Sequence, residues 1–175
     1  MKLIVIISLL AWNVCLAQTS GPITDSRAAA VKEQATKMGQ ALVKGDYATF
    51  IHYTYPGLVK MAGGADQLTA QLGQLMKEMR TRGMLFKGIS VGGVSKIVAN
   101  AGVLQCTVPQ YTEIQMQGEK MKATSTLIGV SEDGGRSWTF IDTSTHDKAT
   151  IRKLMPGLSG EIVIPPAQPP VRPVN

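Results

Sequence analysis

Cysteine is almost missing from this chain: two occur in 175 residues, Cys15 and Cys106. Cys15 lies in an N-terminal segment that reads as a removable leader, so the mature chain would keep Cys106 alone and form no disulfide within itself. The fold must then stand on its hydrophobic core. Histidine is equally scarce, and His52 and His146 with one cysteine give no zinc-ligand spacing. Aromatics make up 5% of the residues, too few to interleave with a basic face. With 18 Lys and Arg against 12 Asp and Glu the formal charge is +6, but the excess is scattered and only Lys77 to Lys87 is dense. That stretch reads as a solvated helix face, which argues against nucleic acid as a partner. Also lacking are a phosphate-binding loop, a dinucleotide glycine motif and, beyond the leader, any apolar run approaching the roughly 20 residues of a membrane span. No cofactor and no metal are implied.

What is present begins with Met1 to Ala17. Lys2 supplies a charged start, Leu3 to Trp12 is mostly apolar, and Cys15-Leu16-Ala17 offers small residues for cleavage after Ala17. The mature protein is therefore expected from Gln18, secreted or periplasmic, with no membrane span once the leader is cut. Val14 is branched where a bacterial lipobox takes Gly, Ala or Ser, which counts against acylation of Cys15. Residues 18–25 read as a short linker, 26–158 as a single domain and 159–175 as a tail. From Pro165 onward, PPAQPPVRPVN holds five of the nine prolines and is expected to be extended or disordered.

Within the domain the hydrophobic period changes once. Val31, Ala35, Met38 and Leu42 recur at helical spacing after the capping oxygens of Thr24, Asp25 and Ser26, predicting a helix from about Arg27 to Lys44 that Gly45 ends. Asp46 caps a shorter helix carrying Tyr47, Phe50, Ile51 and Tyr55, which Pro56 ends or bends. Residues 57–62 read as a further helical turn or two. Another stripe, Leu68, Leu72, Leu75, Met76 and Met79, runs to Gly83. From Met84 the alternation is that of strands. Met84 to Ser95 is a first strand, weakened or bulged at Gly88, Gly92 and Gly93. Val103 to Gln117 is a second, with Leu104, Cys106, Val108, Thr112, Ile114 and Met116 on one face. Turns at Gly118-Glu119 and at Asp133 to Gly135 lead into Lys120 to Ser131 and Arg136 to Thr143. Ala149 to Met155 reads as a last short helix. The pattern predicts an α+β fold, three N-terminal helices packed on a curved four-stranded antiparallel sheet, cone-like.

Ser131, Asp133, Gly135 and Trp138 fit S-x-D-x-G-x-x-W, which resembles the Asp-box hairpin of sialidases and other glycan-active β-propellers. What this resemblance implies is a structural turn, with Asp133 accepting backbone N–H groups and Trp138 beneath it. A propeller repeats such a hairpin in several blades; one copy excludes that fold and leaves a glycan-associated accessory module as the third reading of function. The element order, together with Gly45-Asp46-Tyr47-x-x-Phe50 and the run from Tyr55 to Gly64, resembles the nuclear transport factor 2-like, or cystatin-like, superfamily and its secreted bacterial members, over roughly Ser26 to Thr143. The resemblance implies a cone whose mouth holds a small-molecule pocket in ketosteroid isomerase-like and polyketide cyclase-like enzymes, while other members bind partners or dimerise. Those enzymes use a carboxylate base with a tyrosine or acid as oxyanion donor. No strand aspartate here can be matched to that pattern, so no catalytic residue is carried over.

Tyr47, His52, Tyr53 and Tyr55 fall together near the expected mouth and are candidate ligand contacts, although tyrosines there also pack their rings and keep their hydroxyls wet. Tyr111 and Glu113 share a polar row with Gln105, Thr107 and Gln115, which lines a cavity or, as is ordinary for a half-covered antiparallel sheet, faces solvent. Pro109 in mid-strand implies an edge or a bulge, and a bulge would tilt Tyr111 into the cone. Cys106 reads as a small buried hydrophobe. Ser144, His146 and Asp147 have the residue types of a hydrolytic triad but, so close in sequence, not its geometry. The expectation is a secreted, non-enzymatic binding module for an unknown small apolar molecule or protein partner, with homodimerisation through the open sheet face. The alternative is a small-molecule isomerase, cyclase or hydrolase with its pocket at the cone mouth.

Overall fold

The computed structural model describes residues 23–166 and 168–172, so the expected leader and the first part of the expected linker lie outside the described residues. Ile23–Lys44 form helix α1, which starts ahead of Thr24, Asp25 and Ser26, the residues expected to cap it. Its apolar stripe does what the spacing predicts: Val31, Ala35, Met38 and Ala41 are buried, and Leu42 is half-buried. Gly45, at φ +78°, takes the left-handed conformation that ends a helix cheaply. Asp46 then caps α2 (Tyr47–His52), its carboxylate accepting the Thr49 N–H at 3.1 Å. Pro56 both ends one helical segment and starts another, because its fixed φ suits the first turn; α3 is Pro56–Met61. With α4 (Ala65–Thr81), four helices rather than three precede the sheet.

The strands are β1 (Met84–Val91), β2 (Val98–Asn100), β3 (Val103–Met116), β4 (Glu119–Ser131), β5 (Thr139–Asp142) and β6 (Gln168–Val171), with helix α5 (Lys148–Leu154) before the last. The order β1-β3-β4-β5 runs antiparallel throughout, β2 adds to β3, and β6 adds to β4. The sheet is thus four positions wide, as expected, with each outer position split between two strands. It curls strongly into a half-barrel around the N-terminal helices.

Pro109 explains one split. Its carbonyl accepts the Gly92 N–H at 2.8 Å, so the N–H it lacks would have pointed to the same side, at the gap between β1 and β2. Pro109 therefore sits in an interior strand, and the edge that proline demands is supplied by a break in its neighbour. Two tight hairpins set the register beyond it. Asn100 pairs with Val103 and Met116 with Glu119, leaving the two-residue turns Ala101-Gly102 and Gln117-Gly118. All four turn residues have positive φ, the type I′ geometry that matches strand twist.

Both faces of the sheet are covered at one end. On the concave face α1 meets Cys106, Val108, Leu127, Trp138 and Phe140. On the convex face Val98, Ile128, Val130 and Ile141 are buried by Ile151, Met155, Leu158 and Ile162. Each fully buried aliphatic side chain there contributes about 1.5–3 kcal/mol. Gln105 ties the segment down, donating to the Gly157 carbonyl at 2.7 Å and accepting the Ser159 N–H at 2.8 Å. The polar row on β3 is consequently divided, with Gln105 buried against Gly157 and Ser159, Thr107 buried beside Ser95, and Tyr111 and Glu113 exposed. The chain after residue 158 is therefore part of the domain through Ile164, and Gln168–Val171 is a strand held against β4, with Arg172 paired to Glu119 at 2.8 Å.

Candidate functional site

At the other end of the concave face the helices do not fill the half-barrel. A cavity of about 950 Å³ lies between α4 and the sheet. Its roof is the stripe Leu68, Leu72, Leu75, Met76 and Met79, and its walls include Leu42, Phe86, Ile89 and Ile114. This is why α4 has no fully buried residue despite a clean apolar face: the face covers a void, and Leu75 remains 52% exposed. Gln168, Pro169 and Pro170 of β6 close one side. Volume and lining are those of a small-molecule site, mostly aliphatic with a few convergent polar groups.

The polar groups come from three strands. Gln110 lies opposite Ser125 across the β3–β4 pair, and Asp142 of β5 lies opposite Leu127 of β4. Gln110 Nε2 donates to Asp142 Oδ2 at 2.9 Å and to Ser125 Oγ at 3.3 Å, Ser125 Oγ donates to Asp142 Oδ2 at 3.3 Å, and the Ser144 N–H donates to Oδ1 at 2.8 Å. Asp142 thus holds a fixed orientation at the cavity wall. Thr145 and His146 follow on the lining, joined by a 2.7 Å contact between Oγ1 and Nδ1.

None of the six candidate ligand contacts lines this cavity. Tyr47 lies against Gly73, between α2 and α4. His52 is exposed, edge-on to Tyr53 at 5.1 Å, and Tyr53 packs against the α1 core. Tyr55 packs on the convex-face cluster; the Phe140 N–H donates to the Tyr53 carbonyl and the Tyr55 N–H to the Phe140 carbonyl, which lays the α2–α3 connector along β5. Tyr111 is 46% exposed on the convex face and is not tilted inward, since the irregularities fall in β1 and leave β3 in register with β4. Glu113 is exposed beside Lys122 at 4.0 Å. Asp142 was the residue missed, and a signal for it exists: it shares strand parity with Trp138 and Phe140, both inward and buried. Gln110 follows Val108 and Ser125 precedes Leu127 by the same step of two.

The Ser131 to Trp138 turn is a separate construction. Asp133 accepts the Arg136 N–H at 3.0 Å and the Ser137 N–H at 2.9 Å, which, with Ser131 Oγ at 2.9 Å, occupies its carboxylate. The Ser137 N–H is the largest cause holding that carboxyl well below the usual carboxylate range. Ser131 Oγ also takes the Gly135 N–H at 2.9 Å, and the Trp138 indole N–H reaches the Gly135 carbonyl at 3.0 Å. Gln34 of α1 clamps the turn from across the fold, donating to the Arg136 carbonyl and accepting the Trp138 N–H, each at 2.8 Å. Beneath it, burial pushes the Cys106 thiol up to about 12, leaving it protonated and unreactive at neutral pH. Among the described residues no cluster of three His, Cys, Asp or Glu side chains could hold a metal ion, and no helix is long and apolar enough to cross a membrane. Comparison with protein families, curated proteins and solved structures returns no match for this chain.

Proposed function

We propose that the protein is a secreted, non-enzymatic binding module that holds a small apolar molecule in the cavity under α4. The observation that carries this reading is a preformed space of about 950 Å³ roofed by an entire apolar helix face. An exposed stripe of this kind is costly in water, and a ligand would supply the apolar contacts that a core otherwise gives. The leader pattern of Met1 to Ala17 is the support for secretion. The resemblance of the helix-then-meander order to nuclear transport factor 2-like proteins agrees with a binding cone.

Titration of the purified chain with Nile red, a neutral apolar dye, tests the reading. Saturable fluorescence enhancement is expected, abolished by Leu72→Trp or Met76→Trp, which fill the cavity from its roof. Enhancement that these variants leave intact would overturn it. A second reading, a small-molecule isomerase, cyclase or hydrolase in the same cavity, draws on Asp142, a strand carboxylate facing the space, with His146 on the lining. Homodimerisation through the uncovered part of the sheet, around Tyr111 and Glu113, belongs to the leading proposal, and sedimentation at high concentration decides it.

A further inference from the structure

The cavity is mostly apolar, its polar lining coming from threonines such as Thr54, Thr112 and Thr124, from Gln168 and from the groups gathered around Asp142. Among the described residues Asp142 is the single carboxylate on the lining, no lysine or arginine lines the space, and His146 is the other titratable side chain there. The groups that fix Asp142 are neutral donors: the Gln110 amide at 2.9 Å, the Ser125 hydroxyl at 3.3 Å and the Ser144 N–H at 2.8 Å. They orient the carboxylate without cancelling its charge. The chain's excess of basic residues does not offset it either, because those side chains are scattered and absent from the lining, and salt screens exposed charges over about 8 Å. A partly buried carboxylate on the wall of a mostly apolar cavity favours cations and hydrogen-bond donors and repels a second carboxylate more strongly than it would in water. Leucine, isoleucine and methionine make up most of the apolar lining residues, flexible surfaces suited to an aliphatic body.

Resting on the reading that the cavity holds an apolar molecule, we infer that its ligand is an aliphatic amphiphile whose head donates hydrogen bonds, an amine or an alcohol, seated on Asp142 with its chain beneath α4. The site therefore discriminates against fatty-acid carboxylates. Gln110 and Ser125 act as positioning residues that aim the carboxylate, and Asp142 makes the contact.

Dodecylamine, dodecanol and dodecanoate, identical but for the head, separate the possibilities when each displaces Nile red from the full chain. The amine and the alcohol are expected to bind about tenfold to a hundredfold more tightly than the acid, the range of a charge-assisted hydrogen bond. In Asp142→Asn, which keeps shape and removes charge, the three should fall within about threefold of one another, because the repulsion and the charge-assisted bond are both gone. Equal binding of the three by the natural chain, tightest binding of the acid, or an unchanged ranking in Asp142→Asn would each overturn the inference while leaving the cavity reading in place. Failure of all three and of Nile red itself would overturn both. Should Asp142→Asn fold poorly, Asp142→Ser serves instead: it too removes the charge, the discrimination should collapse in the same way, and its full retention would count against the proposal.

Discussion

Truncating Trp138 to alanine tests whether the Ser131 to Trp138 turn is a stability device. The indole is 1% exposed, lies against the space above Gly129 and donates to the Gly135 carbonyl at 3.0 Å. A methyl added at Gly129 would come within 3.1 Å of Cys106 Sγ, 3.2 Å of Phe140 and 3.4 Å of Trp138, so the ring sits where there is no slack. Removing a buried aromatic of this size costs about 3–5 kcal/mol. The orphaned Gly135 carbonyl is part of that cost, about 1 kcal/mol of it. Folded domains are stable by about 5–15 kcal/mol in all, and a domain of this length loses roughly 2–4 °C of melting temperature per kcal/mol. The variant should therefore melt roughly 6–20 °C lower by circular dichroism, with a matching shift in urea midpoint. Trp138→Phe restores most of the ring volume and should recover more than half of the loss. A cost below about 1 kcal/mol for the alanine variant would refute the reasoning. Unchanged melting with lost ligand binding would move the motif from stability to function.

Three further outcomes are expected. Ala101→Asn and Gln117→Asn, each at φ +49° in a type I′ turn, should stabilise by about 0.5–1 kcal/mol, because asparagine tolerates left-handed backbone better than either native residue; a lower urea midpoint would count against that turn assignment. The Asp133 carboxyl binds its proton less tightly in the folded chain than in the unfolded one, so its stabilisation is complete above the ordinary carboxylate range and is lost as pH falls below about 4. Asp133→Asn should accordingly melt below the natural chain at pH 7, with the difference shrinking toward pH 2, and a difference independent of pH would sink the assignment. Cys106, with its thiol pushed up to about 12 by burial, should resist iodoacetamide in the native protein and react once the chain is unfolded; labelling at a free-thiol rate under native conditions would contradict its burial.

The α+β class, the positions of α1 and α4, the change of period at Met84 and the hairpins that follow are legible because each is a local matter. Helical stripes, glycines at positive φ and strand alternation need no distant partner to be recognised. Parity along a strand even marks Asp142, two residues after Phe140 and on the same face. What the chain could not disclose on its own is which apolar faces meet. The stripe of α4 is as regular as that of α1, yet α1 lies against Cys106, Val108 and Trp138 while α4 spans an open half-barrel. The tail from residue 159 reads as a proline-rich appendage, yet Ile162 helps bury the convex face, and Gln168 to Pro170 flank the cavity. Tyr53 and Tyr55, two residues apart, pack on different clusters because Tyr53, at φ −90° and ψ −3°, still has the helical backbone of the α2 C-cap while Tyr55 is extended, so strand parity does not apply. Local pattern depends on residues within a turn or two, whereas a cavity is the space left when curvature, register and helix placement are combined. Local pattern sets the long helices, the main strands and their turns, but not the short β2 and β6; how these elements pack leaves a void that Asp142 faces.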